Sequence, residues 1–154
     1  MKKLLNYLLI IFTFIIFSII SYGENYQQEI LDIINNERVE NNLSPLEEKE
    51  ILNEMAIKKA SLVAKEGKLD HYAGGYSSLG EFFKEYEISY LAIAENLARN
   101  SNGPKDVAKS WIESKGHRAN LLNPQYTYTG IGKFTDENNN TYWVQLFLKE
   151  RSQK

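Results

Sequence analysis

Residues Thr141 to Leu148 alternate with the two-residue period of a β-strand, yet neither series is polar: Tyr142, Val144, Leu146 and Leu148 form one, and Trp143 and Phe147 stand in the other with Thr141 and Gln145. Such a strand cannot present one whole face to water, which points to cover on both sides. A second run rich in Tyr, Thr and Ile extends from Tyr126 to Phe134, and Asp136-Glu137-Asn138-Asn139-Asn140 between the two is a turn-forming cluster. The spacing predicts an antiparallel hairpin with a loop of about five residues and both faces partly covered.

The first half of the chain has a different period. From Gln28, the residues Ile30, Leu31, Ile33, Ile34 and Val39 recur at near-helical spacing, predicting an amphipathic helix to about Asn41. Asn42-Leu43-Ser44-Pro45 breaks it, and Ser44 with Glu47 three positions later resembles a capping box that opens a second helix. In that helix Leu52, Met55, Ala56, Ala60 and Val63 share one face, and Gly67 suits a left-handed stop that delivers Asp70-His71 just beyond the helix end. Residues 73–78 read as a loop, and Leu79 to Tyr86 as a short helix. Residues 88–97 are a further candidate strand. Pro104 opens another helix with Val107, Ala108, Trp111 and Ile112 on its apolar face; Gly116 is expected to end it, with one more turn over His117 to Leu122. Early helices and late strands give an α+β fold, helices packed on a mostly antiparallel sheet.

Lys2 and Lys3 precede an apolar run from Leu4 to Ile20, and the small residues Ser21 and Gly23 follow. This is the pattern of a secretory signal peptide over residues 1–23, with an uncleaved membrane anchor as the alternative reading; cleavage leaves residues 24–154 as a single domain. The expected destination is extracytoplasmic: periplasm, cell envelope or medium, with no permanent membrane span after cleavage. Without Lys2 and Lys3 the chain has 16 basic and 20 acidic side chains, interspersed, so no phosphate-tracking stripe exists and nucleic acid is excluded as a partner. The chain contains no cysteine, so packing must supply the stability that many small exported folds take from disulfides, and thiol catalysis is excluded.

His71 and His117 are the only histidines, and Glu95-Asn96 lies roughly midway between them. Imidazole is both a common metal ligand and an acid–base group near neutral pH, so a single pocket holding His71, Glu95 and His117 is the natural candidate site. Spacing alone does not force convergence. His71 would also serve as a cation at a helix C-terminus, His117 as a tie between loop and sheet, and Glu95 and Asn96 as acceptors for backbone amides. Trp111, Trp143 and Phe147 lie on apolar faces and read as core, while Arg118 and Asn120 read as residues that orient the His117 turn.

Several segments occur in order: Asn36-Glu37-Arg38, Leu43-Ser44-Pro45-Leu46, Asp70-His71, Ala94-Glu95-Asn96-Leu97, Val107 to Trp111, Gly116-His117-Arg118-Ala119-Asn120-Leu121-Leu122, Tyr126 to Gly132, and Tyr142 to Phe147. Together they resemble the CAP superfamily (the SCP, or cysteine-rich secretory, antigen 5 and pathogenesis-related 1 domain) in its cysteine-free bacterial branch, over about residues 28–148. The resemblance implies a three-layer α-β-α sandwich with a central antiparallel sheet. It also implies a solvent-open cavity in which His71, His117 and Glu95 meet. The family's second acid falls on Ser114, with Glu113 one step earlier and turned by about 100° if the helix is regular. Ser114 and Asn96 are therefore expected to line the cavity without adding a carboxylate.

Three readings of function follow, the third being a purely structural role at the envelope in which the histidines serve only the fold. The first is a monomeric binding or interaction module in which His71 and His117 hold zinc or another divalent metal, while outer loops engage a protein, a lipid or a cell-wall component. The second is a metal-dependent hydrolase of peptidase type with His71, His117 and Glu95 as catalytic residues, Glu95 taking a proton from metal-bound water. The absent second acid counts against the second reading.

Overall fold

The computed structural model describes residues 26–151, so the signal segment read over residues 1–23 lies outside the described residues. In chain order the elements are α1 (Tyr26–Glu40), β1 (Glu47–Glu48), α2 (Glu50–Glu66), α3 (Leu79–Lys84), β2 (Tyr90–Arg99), α4 (Pro104–Glu113), α5 (Lys115–Leu121), β3 (Tyr128–Thr135) and β4 (Thr141–Glu150). The strands form one sheet in the order β1-β3-β4-β2.

β4 owes its doubly apolar sequence to its place inside this sheet, with antiparallel partners on both edges and helices on both faces. Its Tyr142, Val144, Leu146 and Leu148 pack with Leu52, Met55, Ala56, Ala60 and Val63 of α2 and with Phe82 and Phe83 of α3. Trp143 and Phe147 pack on the opposite side with Ile30, Leu31 and Ile34 of α1, Val107, Ala108 and Trp111 of α4, and Leu121 of α5. The result is an α-β-α sandwich in three layers. Burial of each large apolar side chain contributes roughly 1.5–3 kcal/mol before conformational entropy is set against it.

Gly130 and Gly132 of β3 let α2 lie directly on the sheet: a Cβ on Gly132 would stand 2.1 Å from the backbone nitrogen of Ile57. Only a residue without a side chain permits that approach.

Two local expectations need correction. Ser44 and Glu47 do not cap α2, because Glu47 N–H donates to Thr127 O at 2.9 Å and Lys49 N–H to Thr129 O at 3.0 Å. These bonds draw Glu47 and Glu48 into a short parallel pairing with Tyr128 and Thr129, and Lys49 becomes the N-cap instead. Nor does Gly116 end the fourth helix. Ser114 does so by turning extended (φ −83°, ψ 120°), and Gly116 lies within α5.

Candidate functional site

α2 ends as the sequence predicts: Gly67 adopts φ 70° and its N–H closes on Ala64 O at 3.0 Å. The chain reverses there, and Asp70 secures the next turn by accepting the Tyr72 N–H at 2.9 Å and pairing with Lys68 at 3.0 Å. His71 thereby reaches β2. That strand lies at the end of the sheet order, so its rim is accessible from both helical layers. Strand alternation places Glu95 with Ile93 and Leu97 on the α2 face, and Asn96 with Ala94 and Ala98 on the α1, α4 and α5 face.

His71 Nδ1 lies 2.8 Å from Glu95 Oε1. A carboxylate oxygen accepts, so Nδ1 carries the hydrogen and the neutral ring keeps its lone pair on Nε2. The Glu95 side chain is only 3% exposed, whereas that of His71 is 61% exposed, so the imidazole is anchored from below and open above. Glu95 Oε2 is buried without a hydrogen-bond partner.

His117 comes from the opposite layer on α5. Fully buried Asn96 donates from Nδ2 to His117 O at 3.3 Å and accepts at Oδ1 from Asn120 Nδ2 at 2.8 Å; Asn120 also reaches Glu95 O at 3.4 Å. Asn120 and Asn96 thus fasten α5 to the strand that carries Glu95. Arg118 pairs with Glu37 of α1 and orients the same turn from outside.

The two imidazoles are electrostatically coupled. The Glu95 hydrogen bond lifts the His71 pKa above its ordinary 6.5, against the opposing effect of desolvation. Burial pushes His117 below 6.5, and charge on His71 pushes it further. His71 takes a proton first, and His117 favours the neutral form that binds metals.

The fold brings His71 and Glu95 into contact, and sets His117 within the field of His71. Asn96 lies in the junction between β2 and α5, and Ser114 is half-buried at the α4–α5 corner with no capping bond from its side chain. Glu113 points to solvent beside Lys109, 3.8 Å away. Among the described residues no group of three or more His, Asp and Glu side chains is placed to hold a metal ion. Glu95 is held against His71, and the ring of His117 is half-buried on α5 across the β2–α5 junction.

Two buried cations escaped the sequence reading. Lys59 and Arg38 are 0% and 1% exposed. Lys59 falls in the apolar series of α2, between Ala56 and Ala60, and Arg38 continues the Ile30–Ile34 series of α1; a charge on an apolar stripe was the available signal. Arg38 donates to Ser44 O, Leu121 O, Asn123 O and Tyr126 O, gathering the carbonyls around the C-terminal end of α5.

A three-layer sandwich with two histidines and a glutamate at its open strand defines a recognisable class of domain. The family model for CAP, the cysteine-rich secretory protein family, matches residues 31–147, and the chain belongs to that family. It is 32% identical over 123 residues to the uncharacterized protein YkwD of Bacillus subtilis (strain 168), covering 80% of this chain and 47% of that protein. An extracellular protein containing an SCP domain from Bacillus anthracis superposes with a TM-score of 0.74 at 25% identity, over 81% of this chain and 40% of that one. An outer surface protein from Borrelia burgdorferi gives a TM-score of 0.75 at 21% identity, over 83% and 95% of the two chains, and so shares the fold. The chain thus spans about half the length of YkwD.

Proposed function

We propose that this protein is an extracytoplasmic CAP-domain binding module whose His71 and His117 hold a divalent metal, with zinc the first candidate. One observation carries the reading: His71 Nδ1 is committed to a buried carboxylate at 2.8 Å, which leaves Nε2 free on an exposed ring. A carboxylate behind an imidazole fixes the tautomer and raises the basicity of a ligating nitrogen. Two imidazoles leave the remaining positions on zinc to water or to a partner's donor group, so affinity is weak to moderate. Bound zinc would supply a Lewis-acidic anchoring point for such a group. Among the described residues no helix is long and apolar enough to cross a membrane. The relatives described as extracellular and outer-surface proteins support placement outside the cytoplasm. The partner classes remain a protein, a lipid or a wall component.

The geometry favours binding over hydrolysis. Glu95 spends Oε1 on His71 and keeps Oε2 buried, so it serves as an orienting group rather than a base with access to water. The test is calorimetric titration of zinc at pH 7.5 and 5.5 on the native protein and on His71→Ala and His117→Ala separately. Binding at pH 7.5 that weakens at pH 5.5, and is lost in each folded variant, is expected, because coordination requires the rings to shed protons. Equal affinity at both pH values, or unchanged affinity in either variant, refutes histidine ligation.

A further inference from the structure

The Lys59 side chain is a lysine sealed inside the α2 layer, where a simple helix would carry an apolar residue. Its Nζ donates to His71 O at 2.7 Å and to Ala73 O at 3.1 Å, and lies 5.4 Å from the ring centres of both Tyr76 and Phe82. Burying an ammonium is costly, and side chains of this kind are retained where they are fully engaged. Here the two carbonyls belong to the residue that presents the exposed imidazole and to the residue two positions later. Burial pushes the Lys59 pKa down, and the charges of Glu95, Asp70 and Glu66 offset part of that effect.

We propose that Lys59 is the positioning residue of the His71–Glu95 pair: by clamping the carbonyls of His71 and Ala73 it sets where the imidazole that donates to Glu95 stands. The segment after α2 depends on this clamp because it has little regular structure of its own. Its internal backbone bonds are single turns, Ala73 N–H to Asp70 O and Gly75 N–H to Tyr72 O, both at 3.2 Å. Within it only Ala73 is fully buried, and His71 and Tyr72 on its outer side are exposed. A side chain reaching from the helix below and bonding on either side of Tyr72 fixes both the height and the direction of the turn. The assignment extends the metal-site reading by naming what aims one of its ligands.

The absence of cysteine makes a chemical test direct. In native protein labelled with nitrogen-15 and carbon-13, the Lys59 ammonium is expected to show slowed proton exchange and scalar coupling across the hydrogen bonds to the His71 and Ala73 carbonyl carbons. Exchange as fast as that of surface lysines, without coupling, overturns the proposal and requires no variant. Lys59→Met keeps the stem and removes the ammonium; the His71 Nδ1 proton should then exchange at least tenfold faster, while the Trp111 and Trp143 indole resonances stay in place. Lys59→Cys, aminoethylated while unfolded and then refolded, restores an ammonium at the same reach and should restore the slow His71 proton. A His71 proton unchanged in Lys59→Met, or not recovered in an aminoethylated Lys59→Cys chain that has refolded, overturns the proposal. All these readings are made without metal, so a failure to bind zinc refutes the metal site and leaves the Lys59 result to be judged separately.

Discussion

Replacing Gly132 with Ala tests the seating of α2 on the sheet. The added methyl carbon would lie 2.1 Å from Ile57 N and 2.2 Å from the Ala56 carbonyl carbon, both backbone atoms, so no rotamer change relieves the clash. Raising the closest contact from 2.1 to 3.0 Å requires α2 to retreat by about 0.9 Å, and ordinary contact requires more. Leu52, Met55, Ala56, Ala60 and Val63 are all 0% exposed and would move with the helix. A gap of roughly 0.5–1 Å already forfeits a quarter to a half of the dispersion energy of each contact. Overpacking a core typically costs about 1–3 kcal/mol, and a helix backbone as the obstacle places Gly132→Ala at the upper end, ~3 kcal/mol. For a domain of this size that is a fall in Tm on the order of 10 °C, readable by calorimetry or circular dichroism. The same retreat carries Lys59 and the His71 turn, so zinc affinity should fall in parallel. A Tm within about 2 °C of the native value would refute the argument that this glycine is there for close approach.

Gly116→Ala is the matching control: nothing lies within 4 Å of its added carbon and the position is helical, so a gain of about 0.5–1 kcal/mol is expected, and a loss in urea titration contradicts the helical assignment. Arg38→Met should cost on the order of 3 kcal/mol, because several carbonyls near the end of α5 lose their donor in the interior; a cost below about 1 kcal/mol in urea unfolding would show that water replaces the guanidinium there. The folded pKa of His71 is raised, so its stabilising contribution is complete below the unfolded value of 6.5 and disappears as pH rises through the folded value. The stability difference between native protein and His71→Ala should therefore shrink from pH 5.5 to pH 9, modestly because the ring is largely exposed, and a difference that grows contradicts the sign. His117 runs the opposite way: its folded pKa is lowered, so it costs stability as pH falls below 6.5, and His117→Ala should remove that acid-side loss.

How much of this was legible beforehand differs between fold and site. The stripe Leu52 to Val63, the Gly67 stop and the Pro104 start were readable because each depends on neighbours within a turn or two. The capping-box expectation at Ser44 failed for the complementary reason. The same residues have a second use, as a parallel strand pairing with Tyr128 and Thr129, and nothing local reveals the partner. At the site, His71, Glu95 and His117 could be named from residue type and family resemblance, but their division of labour could not.

By itself the sequence determined the periods, the turns and the doubly apolar β4, and with them helices packed on a mostly antiparallel sheet, because those features follow from steric and solvation preferences repeated along a short stretch of chain; the three-layer sandwich came from the family resemblance. Tertiary structure alone decided that Glu95 stands behind His71, that Asn96 fastens α5 to β2, and that Lys59 and Arg38 bond inside the protein instead of facing water. Those are choices of partner between residues distant in sequence, and a buried polar group takes whichever partner the packed layers place within reach of it.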